Sequence, residues 1–149
     1  MKKIYRKTAT IRAEQFNYEK WVYMRQDAYP MVFGDTAKDG GMMATNPLIK
    51  TLEGNMKIKD NDWIATGVNG EHWPIADDVF KQTYAELPVI PEEVAYVIKQ
   101  AKKGDYKLGW VFYAAYTKIL QVSVCNWIKT HAETFARAWL DGYAVEGDK

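Results

Sequence analysis

The sequence predicts an α+β fold, in which a small antiparallel β-sheet or partial barrel is followed by a compact helical region. Residues 51–74 contain short apolar runs separated by turn signals, which is typical of antiparallel strands joined by tight turns. Two prolines, Pro88 and Pro91, then interrupt this pattern. After them, apolar residues recur at every third or fourth position, as in amphipathic helices. We therefore predict a β-rich domain at 1–87 and a helical domain at 88–149.

The basic N-terminal segment is predicted to begin the sheet. Residues 4–16 contain several β-branched side chains in an extended pattern, and such residues favour a pleated strand. Residues 17–27 are ambiguous, because Trp21 and Met24 have helical spacing while the run at 21–23 also suits a strand.

Turn signals divide the rest of the first domain into short strands. Tyr29-Pro30, Gly34 and the run Asp39-Gly40-Gly41 indicate turns early in the chain. Asn69-Gly70 indicates a type I′ hairpin, because both residue types tolerate positive φ. Further turns are predicted at 53–55 and 60–62, and strands at 56–58, 63–68 and 71–74.

A short helix is predicted to close the first domain at residues 79–84. Asp77 and Asp78 precede it, and carboxylates stabilise the unpaired N–H groups and the positive dipole end of a helix. We prefer this capping interpretation to a carboxylate pair that performs acid–base chemistry.

The second domain is predicted to contain four helices and a last strand. The first helix begins at Pro91 and ends at Gly104. Thr130 is predicted to cap the fourth helix, with Glu133 completing a capping box. Residues 143–146 are predicted to form a strand that returns to the first sheet. The apolar stripes of the four helices are Val94, Val97, Ile98 and Ala101; Leu108, Val111, Phe112, Ala115 and Ile119; Val124, Trp127 and Ile128; and Phe135, Ala138 and Trp139.

Composition narrows the class of protein. The 149 residues carry a net charge of +1 and one cysteine, Cys125, so no intramolecular disulfide is expected and a reducing cytoplasm is the natural environment. The basic start is not followed by an apolar signal-peptide run, and no stretch of about 18 apolar residues occurs, so we expect no membrane partner. The balanced charge does not favour a strongly basic nucleic-acid reader.

No residue pattern predicts a catalytic centre, a cofactor or a metal site, so we expect a protein that is not an enzyme. Cys125 and His131 lack a catalytic signature, and a buried structural cysteine is expected. His72 has no second strong ligand at metal-site spacing. The run Asp60-Asn61-Asp62 lacks the later ligands of a calcium loop, and glycine-rich phosphate motifs are absent. An enzyme with a polar pocket near His72 or Cys125 is our third hypothesis.

Basic residues near the N-terminus provide an alternative function, which is nucleic-acid binding through the first strand. With Tyr5 among them, these side chains could contact phosphates and bases, although a solvated arm is the simpler interpretation. The candidates are Lys2, Lys3, Arg6, Lys7 and Arg12.

The run IYRKTATIRAEQF in the first half and the run ETFARAWLDGYAVE in the second are among the segments that resemble small accessory proteins of bacteriophages that infect Gram-positive cocci. IYRKTATIRAEQF and TLEGNMKIKDNDWIATGVNGEHWPIADDVFKQTYAEL resemble a phage β-module with a basic first strand and a terminal phenylalanine-x-x-threonine-tyrosine motif. Asn61 stands where that module has glycine, and asparagine also tolerates positive φ. VIPEEVAYVIKQAKK and ETFARAWLDGYAVE resemble a domain of unknown function from streptococcal and lactococcal phages. The resemblance assigns no catalytic residue.

The resemblance implies a protein that acts on a host protein in the cytoplasm of the bacterial host. Our first hypothesis is a non-enzymatic inhibitor of a host defence system, such as an anti-CRISPR-like protein that binds a nuclease defence complex. Six Trp and ten Tyr offer anchors for an interface, although a core position is the default for each. The interface candidates, chosen by helix geometry, are Tyr106, Trp110, Tyr113, Tyr116 and Lys118. The target and the oligomeric state stay open.

Overall fold

The computed structural model describes residues 1–35 and 46–147. It divides into two compact units, Met1–Ala85 and Glu86–Lys149, close to the position at which the sequence analysis placed a boundary. These described residues contain six α-helices and eight short strands, which confirms the α+β prediction. The hairpin signal at Asp39-Gly40-Gly41 lies outside the described residues. No helix in the described ranges is both long and apolar enough to cross a lipid bilayer.

The first unit contains two three-stranded antiparallel sheets and two helices. Strand order is β1-β5-β6 in one sheet and β2-β3-β4 in the other. Its elements are β1 (Arg12–Gln15), α1 (Tyr18–Met24), β2 (Val32–Asp35), β3 (Asn46–Thr51), β4 (Gly54–Lys57), β5 (Trp63–Thr66), β6 (His72–Ile75) and α2 (Asp77–Thr83), with a 3-10 turn at Arg25–Asp27. Both sheets and α1 contribute to one core, formed by Phe16, Trp21, Tyr29, Val32, Ile49, Ile58 and Ile64.

The predicted first strand is much shorter than its sequence pattern. Only Arg12–Gln15 pair, from Arg12 opposite Thr66 to Gln15 opposite Trp63, and residues 1–11 have no regular structure. The prediction of a strand at 4–11 is therefore wrong. A strand needs a partner for its backbone groups, and β5 offers only four residues.

The ambiguous segment after β1 is helical. The Asn17 side chain accepts a hydrogen bond from the Lys20 N–H at 2.7 Å, which caps α1, and Trp21 is buried on its inner face. Gly34 lies inside β2 opposite Pro47, so the prediction of a turn there is wrong. Among the described strands β2 pairs with β3 alone, and such an edge strand tolerates glycine.

Two turns show how backbone conformation follows residue type. Asn61 has φ 69°, as its residue type allows. The β5–β6 hairpin forms as predicted, but its turn is not type I′, because Gly70 has positive φ and Asn69 does not. The Gly67 N–H donates to the Glu71 carbonyl at 2.9 Å and the Gly70 N–H donates to the Gly67 carbonyl at 3.1 Å. These bonds define a three-residue loop that ends in a left-handed glycine.

The second unit is a helical bundle with one small parallel sheet. Its core combines the predicted stripes of all four helices, with Val94, Ile98, Val111, Ala115, Val124, Ile128, Phe135 and Ala138 buried among others. Its elements are β7 (Val89–Ile90), α3 (Glu92–Lys103), α4 (Leu108–Tyr116), α5 (Val122–Thr130), α6 (Ala132–Asp141) and β8 (Ala144–Val145).

The last strand pairs differently from the prediction. β8 lies parallel to β7, so it stays within the second unit and does not return to the first sheet. The Ala144 N–H donates to the Pro88 carbonyl at 3.0 Å, and the Glu146 N–H donates to the Ile90 carbonyl at 2.9 Å. Proline lacks an N–H but keeps its carbonyl, so Pro88 can still accept this bond.

The fourth helix also begins differently from the prediction. Thr130 is the last residue of α5, and its Oγ1 donates to the Asn126 carbonyl at 2.9 Å. His131 is the N-cap of α6 and makes no side-chain capping bond. The predicted capping box at Thr130 and Glu133 is therefore wrong, because the Thr130 hydroxyl is used within the preceding helix.

A left-handed cap ends α4 before Lys118. The Ile119 N–H donates to the Ala114 carbonyl at 2.9 Å and the Lys118 N–H donates to the Ala115 carbonyl at 3.4 Å. With Lys118 at φ 59°, this is a Schellman motif. Ile119 consequently leaves the helical stripe and is 59% exposed, so its predicted core position is wrong. The chain turns away before Lys118 can continue the exposed face of α4.

Lys118→Gly should stabilise the second unit. A residue with a Cβ is strained in the left-handed conformation and glycine is not, so we expect the free energy of unfolding to rise by about 0.5–1 kcal/mol. Urea denaturation measures the change. The matched control is Lys99→Gly on the exposed side of α3, which should lower stability by about 1 kcal/mol. Equal destabilisation by both variants would contradict the cap.

Candidate protein interface

Helix α4 contains no charged residue. Its nine residues read LGWVFYAAY. Val111, Ala114 and Ala115 are buried, while Leu108 and Phe112 pack against the same core. These five positions recur with helical periodicity and form the inner face.

The outer face of α4 is aromatic. At 100° per residue, Gly109, Trp110, Tyr113 and Tyr116 occupy the side opposite the buried stripe. Trp110 is 40% exposed, Tyr113 60% and Tyr116 58%. A surface helix normally carries polar and charged residues on this side. The exposed rings therefore need an explanation other than core packing.

Tyr106 extends this aromatic face beyond the N-terminus of the helix. Its ring stacks on Trp110, with 4.4 Å between centroids, and its N–H donates to the Ala101 carbonyl at 2.8 Å. Gly104 makes room for it, because a Cβ there would lie 2.8 Å from the Tyr106 ring. The bond and the missing Cβ hold Tyr106 against Trp110.

Tyr116 is held at the other end of the helix. The Lys129 Nζ from α5 lies 5.6 Å from the Tyr116 ring centroid, within the range of a cation–π contact. We call Tyr106, Trp110, Tyr113 and Tyr116 the aromatic surface. The Tyr106–Trp110 stack lies at one end of this surface, and the contact between Lys129 and Tyr116 lies at the other.

Lysines border the aromatic surface. Lys107 directly precedes α4 and forms an exposed ion pair with Asp105, 2.8 Å between Nζ and Oδ1. Lys129 lies over Tyr116, and Lys118 follows the helix. An exposed ion pair such as that of Lys107 adds little stability. Because Asp105 pairs with Lys107, the positive charge at this border comes mainly from Lys129.

The predicted interface residues do not all share one element. Trp110, Tyr113 and Tyr116 lie on α4, and Tyr106 contacts Trp110 from the preceding turn. Lys118 lies beyond the helix in the left-handed cap, so the expectation that it continues the face of α4 is wrong. That these residues bind a partner stays a prediction.

The predicted nucleic-acid residues lie in two parts of the first unit. Lys2, Lys3, Arg6 and Lys7 belong to the irregular segment before β1, whereas Arg12 is an exposed residue of β1. Lys7 contacts Tyr84, since its Nζ donates to the Tyr84 hydroxyl at 3.2 Å. Sequence reasoning missed this pairing, because 77 positions separate the two residues.

The cysteine and the histidines occupy structural surroundings. Cys125 is buried, and its Sγ donates to the Leu120 carbonyl at 3.3 Å. His72 Nδ1 lies 3.0 Å from the Thr66 hydroxyl. The His131 ring stacks on Trp127 with 4.5 Å between centroids. Within the described ranges, no three His, Cys, Asp or Glu side chains cluster closely enough to hold a metal ion.

Asp77 binds side chains and does not cap α2. Its carboxylate accepts hydrogen bonds from Trp63 Nε1 at 2.9 Å and from Gln15 at 3.3 Å, and pairs with Lys81 at 2.9 Å. The N-cap is Ala76, so the capping interpretation is wrong for Asp77. The hydrogen bond from Lys81, followed by that from Trp63, holds the pKa of Asp77 below its ordinary value of 3.8.

One comparison with known proteins gives a match. Residues 85–149 match the model of a family described as a protein of unknown function, DUF1642. The match covers the second unit and less than half of the chain. No curated protein and no solved structure is significantly similar to the chain.

Asp77 should make stability depend on pH in the acid range. Its folded pKa lies below the unfolded value of 3.8, so the unfolded state binds more protons there. The stabilisation is complete above that value and is lost as pH falls through the folded pKa. Asp77→Asn should therefore lower the urea midpoint at about pH 6, and this deficit should shrink as the pH falls below 3.8.

Asp78→Asn is the control for the Asp77 variant, because it removes one negative charge from the same helical turn. We expect a smaller loss at about pH 6 from this variant. An Asp77→Asn deficit that persists unchanged at about pH 2 would contradict the role of the ionised carboxylate.

Proposed function

We propose that this chain is a non-enzymatic phage accessory protein that binds a host protein through the aromatic surface. The observation that carries the proposal is the outer face of α4, where three partly exposed rings replace the charges of an ordinary surface helix. Tyr and Trp dominate the energetic centres of protein interfaces, because they combine large apolar area with few rotatable bonds.

The size of the aromatic surface suits the centre of an interface. A Tyr or Trp side chain buries roughly 150–250 Å², so four half-exposed rings offer roughly 300–500 Å². A standard interface buries about 800 Å² on each partner. The rings would supply its apolar centre, and the surrounding polar residues would supply its rim.

The partner should present an apolar pocket bordered by carboxylates. Lys107 directly precedes α4 and Lys129 lies over the Tyr116 ring, and complementary charge guides association and excludes wrong partners. Gly109 lies among the rings, and a Cβ at this position would meet no atom within 4 Å. The partner's surface can therefore approach the α4 backbone closely at Gly109.

The class of target follows from the phage resemblance of both halves. Phage accessory proteins often act on host defence proteins, so we propose a target in a host nuclease defence complex, such as a CRISPR–Cas effector. The protein would then act in the cytoplasm of the bacterial host, as an inhibitor that covers a surface. The positive border leads us to place an acidic region of the target at this contact.

Gly109→Glu should abolish binding while the protein stays folded. The position is open and lies in the first turn of α4, where glutamate favours the helix. The new carboxylate would stand among the rings and oppose the acidic border of the partner. We expect a tagged chain to lose its partner in pull-downs from host extract, with circular dichroism unchanged. Trp110→Ala should weaken binding by about 2 kcal/mol or more.

The matched control is Gln100→Glu, which adds the same charge to the exposed side of α3. This variant should retain the partner. Capture of a host protein counts as support only when Gly109→Glu removes it and Gln100→Glu does not. Equal recovery with both variants, or no partner with the unaltered chain, would contradict the proposal.

A further inference from the structure

The first unit contains a separate cavity of about 530 Å³. This volume lies within the usual range of small-ligand pockets, about 300–1,000 Å³. Residues of the N-terminal segment, β6 and α2 line it. None of the roles proposed for the aromatic surface uses this cavity.

The floor of the cavity is apolar and aromatic. Trp73 and Ile75 alternate with His72 and Pro74 along β6, so they project from the same face of the sheet. Val79 lines the cavity from α2. A planar apolar ligand would find contacts with both the sheet and the helix.

A stack of three aromatic rings ends at the cavity. Trp63 stacks on Phe80 with 4.1 Å between centroids and 12° between planes. Phe80 stacks on Tyr84 with 5.2 Å between centroids and 18° between planes. Tyr84 lines the cavity, so this stack fixes the orientation of one wall. Asp77 anchors the far end through its bond from Trp63 Nε1.

The rim of the cavity is positively charged. Arg6 and Lys7 line it, and none of the described lining residues is acidic. Lys7 Nζ lies 3.2 Å from the Tyr84 hydroxyl and 5.7 Å from the Tyr84 ring centroid. The Lys7 ammonium group therefore lies close to the Tyr84 ring, which forms one wall of the cavity.

We propose that this cavity binds a nucleotide, either free or within a single strand. The base would lie against Trp73 and Tyr84, and the phosphate would contact Lys7 and Arg6. Proteins that bind single strands combine these two features, because every base has a stackable face and every phosphate a negative charge. Arg6 and Lys7, two of the basic residues near the N-terminus, would thus contribute to one particular binding site.

A nucleotide fits these groups better than an acidic peptide does. The wall nearest the cation is the Tyr84 ring, which stacks on Phe80, and a nucleotide carries its phosphate on the same small unit as its base. Lys7 Nζ lies 3.2 Å from the Tyr84 hydroxyl and 5.7 Å from the Tyr84 ring centroid, so a phosphate bound by Lys7 would bring its base close to the aromatic side chains of the cavity. A peptide would need separate residues for the two contacts.

Fluorescence polarisation with a short labelled oligothymidylate tests the site, using the full chain at about 50 mM salt. We expect saturable binding that weakens as salt increases. UMP and AMP serve as competitors, and competition by either means that the site also takes free nucleotides. A strand of the same length without bases should bind about fivefold or more weakly, because the stacking contribution is lost.

Lys7→Glu should weaken oligothymidylate binding about tenfold or more, because it places a negative charge beside the phosphate. Lys3→Glu is the matched control, since it makes the same charge change in the same irregular segment away from the cavity. The control should change affinity less than about twofold. Both residues precede β1, so neither variant disturbs a strand or helix.

Several results would overturn the proposal. These are no binding of any nucleotide probe at low salt, equal loss with both lysine variants, and equal affinity for strands with and without bases. Saturable binding of an acidic, phenylalanine-containing peptide, with no binding of nucleotides, would also overturn it and assign the cavity to a peptide. The proposal would be supported if Lys7→Glu weakened oligothymidylate binding while Lys3→Glu did not, and if the strand without bases bound more weakly.

Discussion

The packing of α4 into the core of the second unit is the constraint on which the proposed interface depends. Val111 and Ala115 are fully buried beside Ile98 and Phe135, and burying one large apolar side chain contributes roughly 1.5–3 kcal/mol. Rotation of α4 about its axis would expose this face, so the opposite face stays directed outward. Trp110, Tyr113 and Tyr116 occupy the outward face, which is therefore aromatic. One packing arrangement therefore stabilises the core and presents the rings.

The helical part of the fold was the more predictable part. Helical periodicity placed Val94, Ile98 and Phe135 in the core, because a helix satisfies its backbone locally and its pattern needs no distant partner. The strand at 4–16 was predicted too long, since pairing depends on the length of β5, whose residues pair with β1 across a distant part of the sequence, from Arg12 with Thr66 to Gln15 with Trp63. Likewise β8 pairs with β7, and no local pattern distinguishes that partner from the first sheet.

The two candidate sites also differ in how far their residues could be predicted from the sequence. Trp110, Tyr113 and Tyr116 could be assigned to the outer face from helical phase alone. Lys118 could not, because a left-handed cap changes the chain direction without glycine at that position. The cavity for which we propose a nucleotide is lined by Lys7, Trp73 and Tyr84, which are far apart in the sequence. Only the folded first unit brings the cation and the rings together.

Site-specific photo-crosslinking in host cells tests most directly whether a host protein contacts the aromatic surface. A benzophenone amino acid would replace Tyr113 in one variant and Tyr96 in a second. These tyrosines are similarly exposed, 60% and 63%, so both probes are accessible. We predict one host protein crosslinked at position 113, prevented by excess unlabelled chain, and no such product at position 96. No crosslink at 113, or the same product from both positions, would contradict the proposed function.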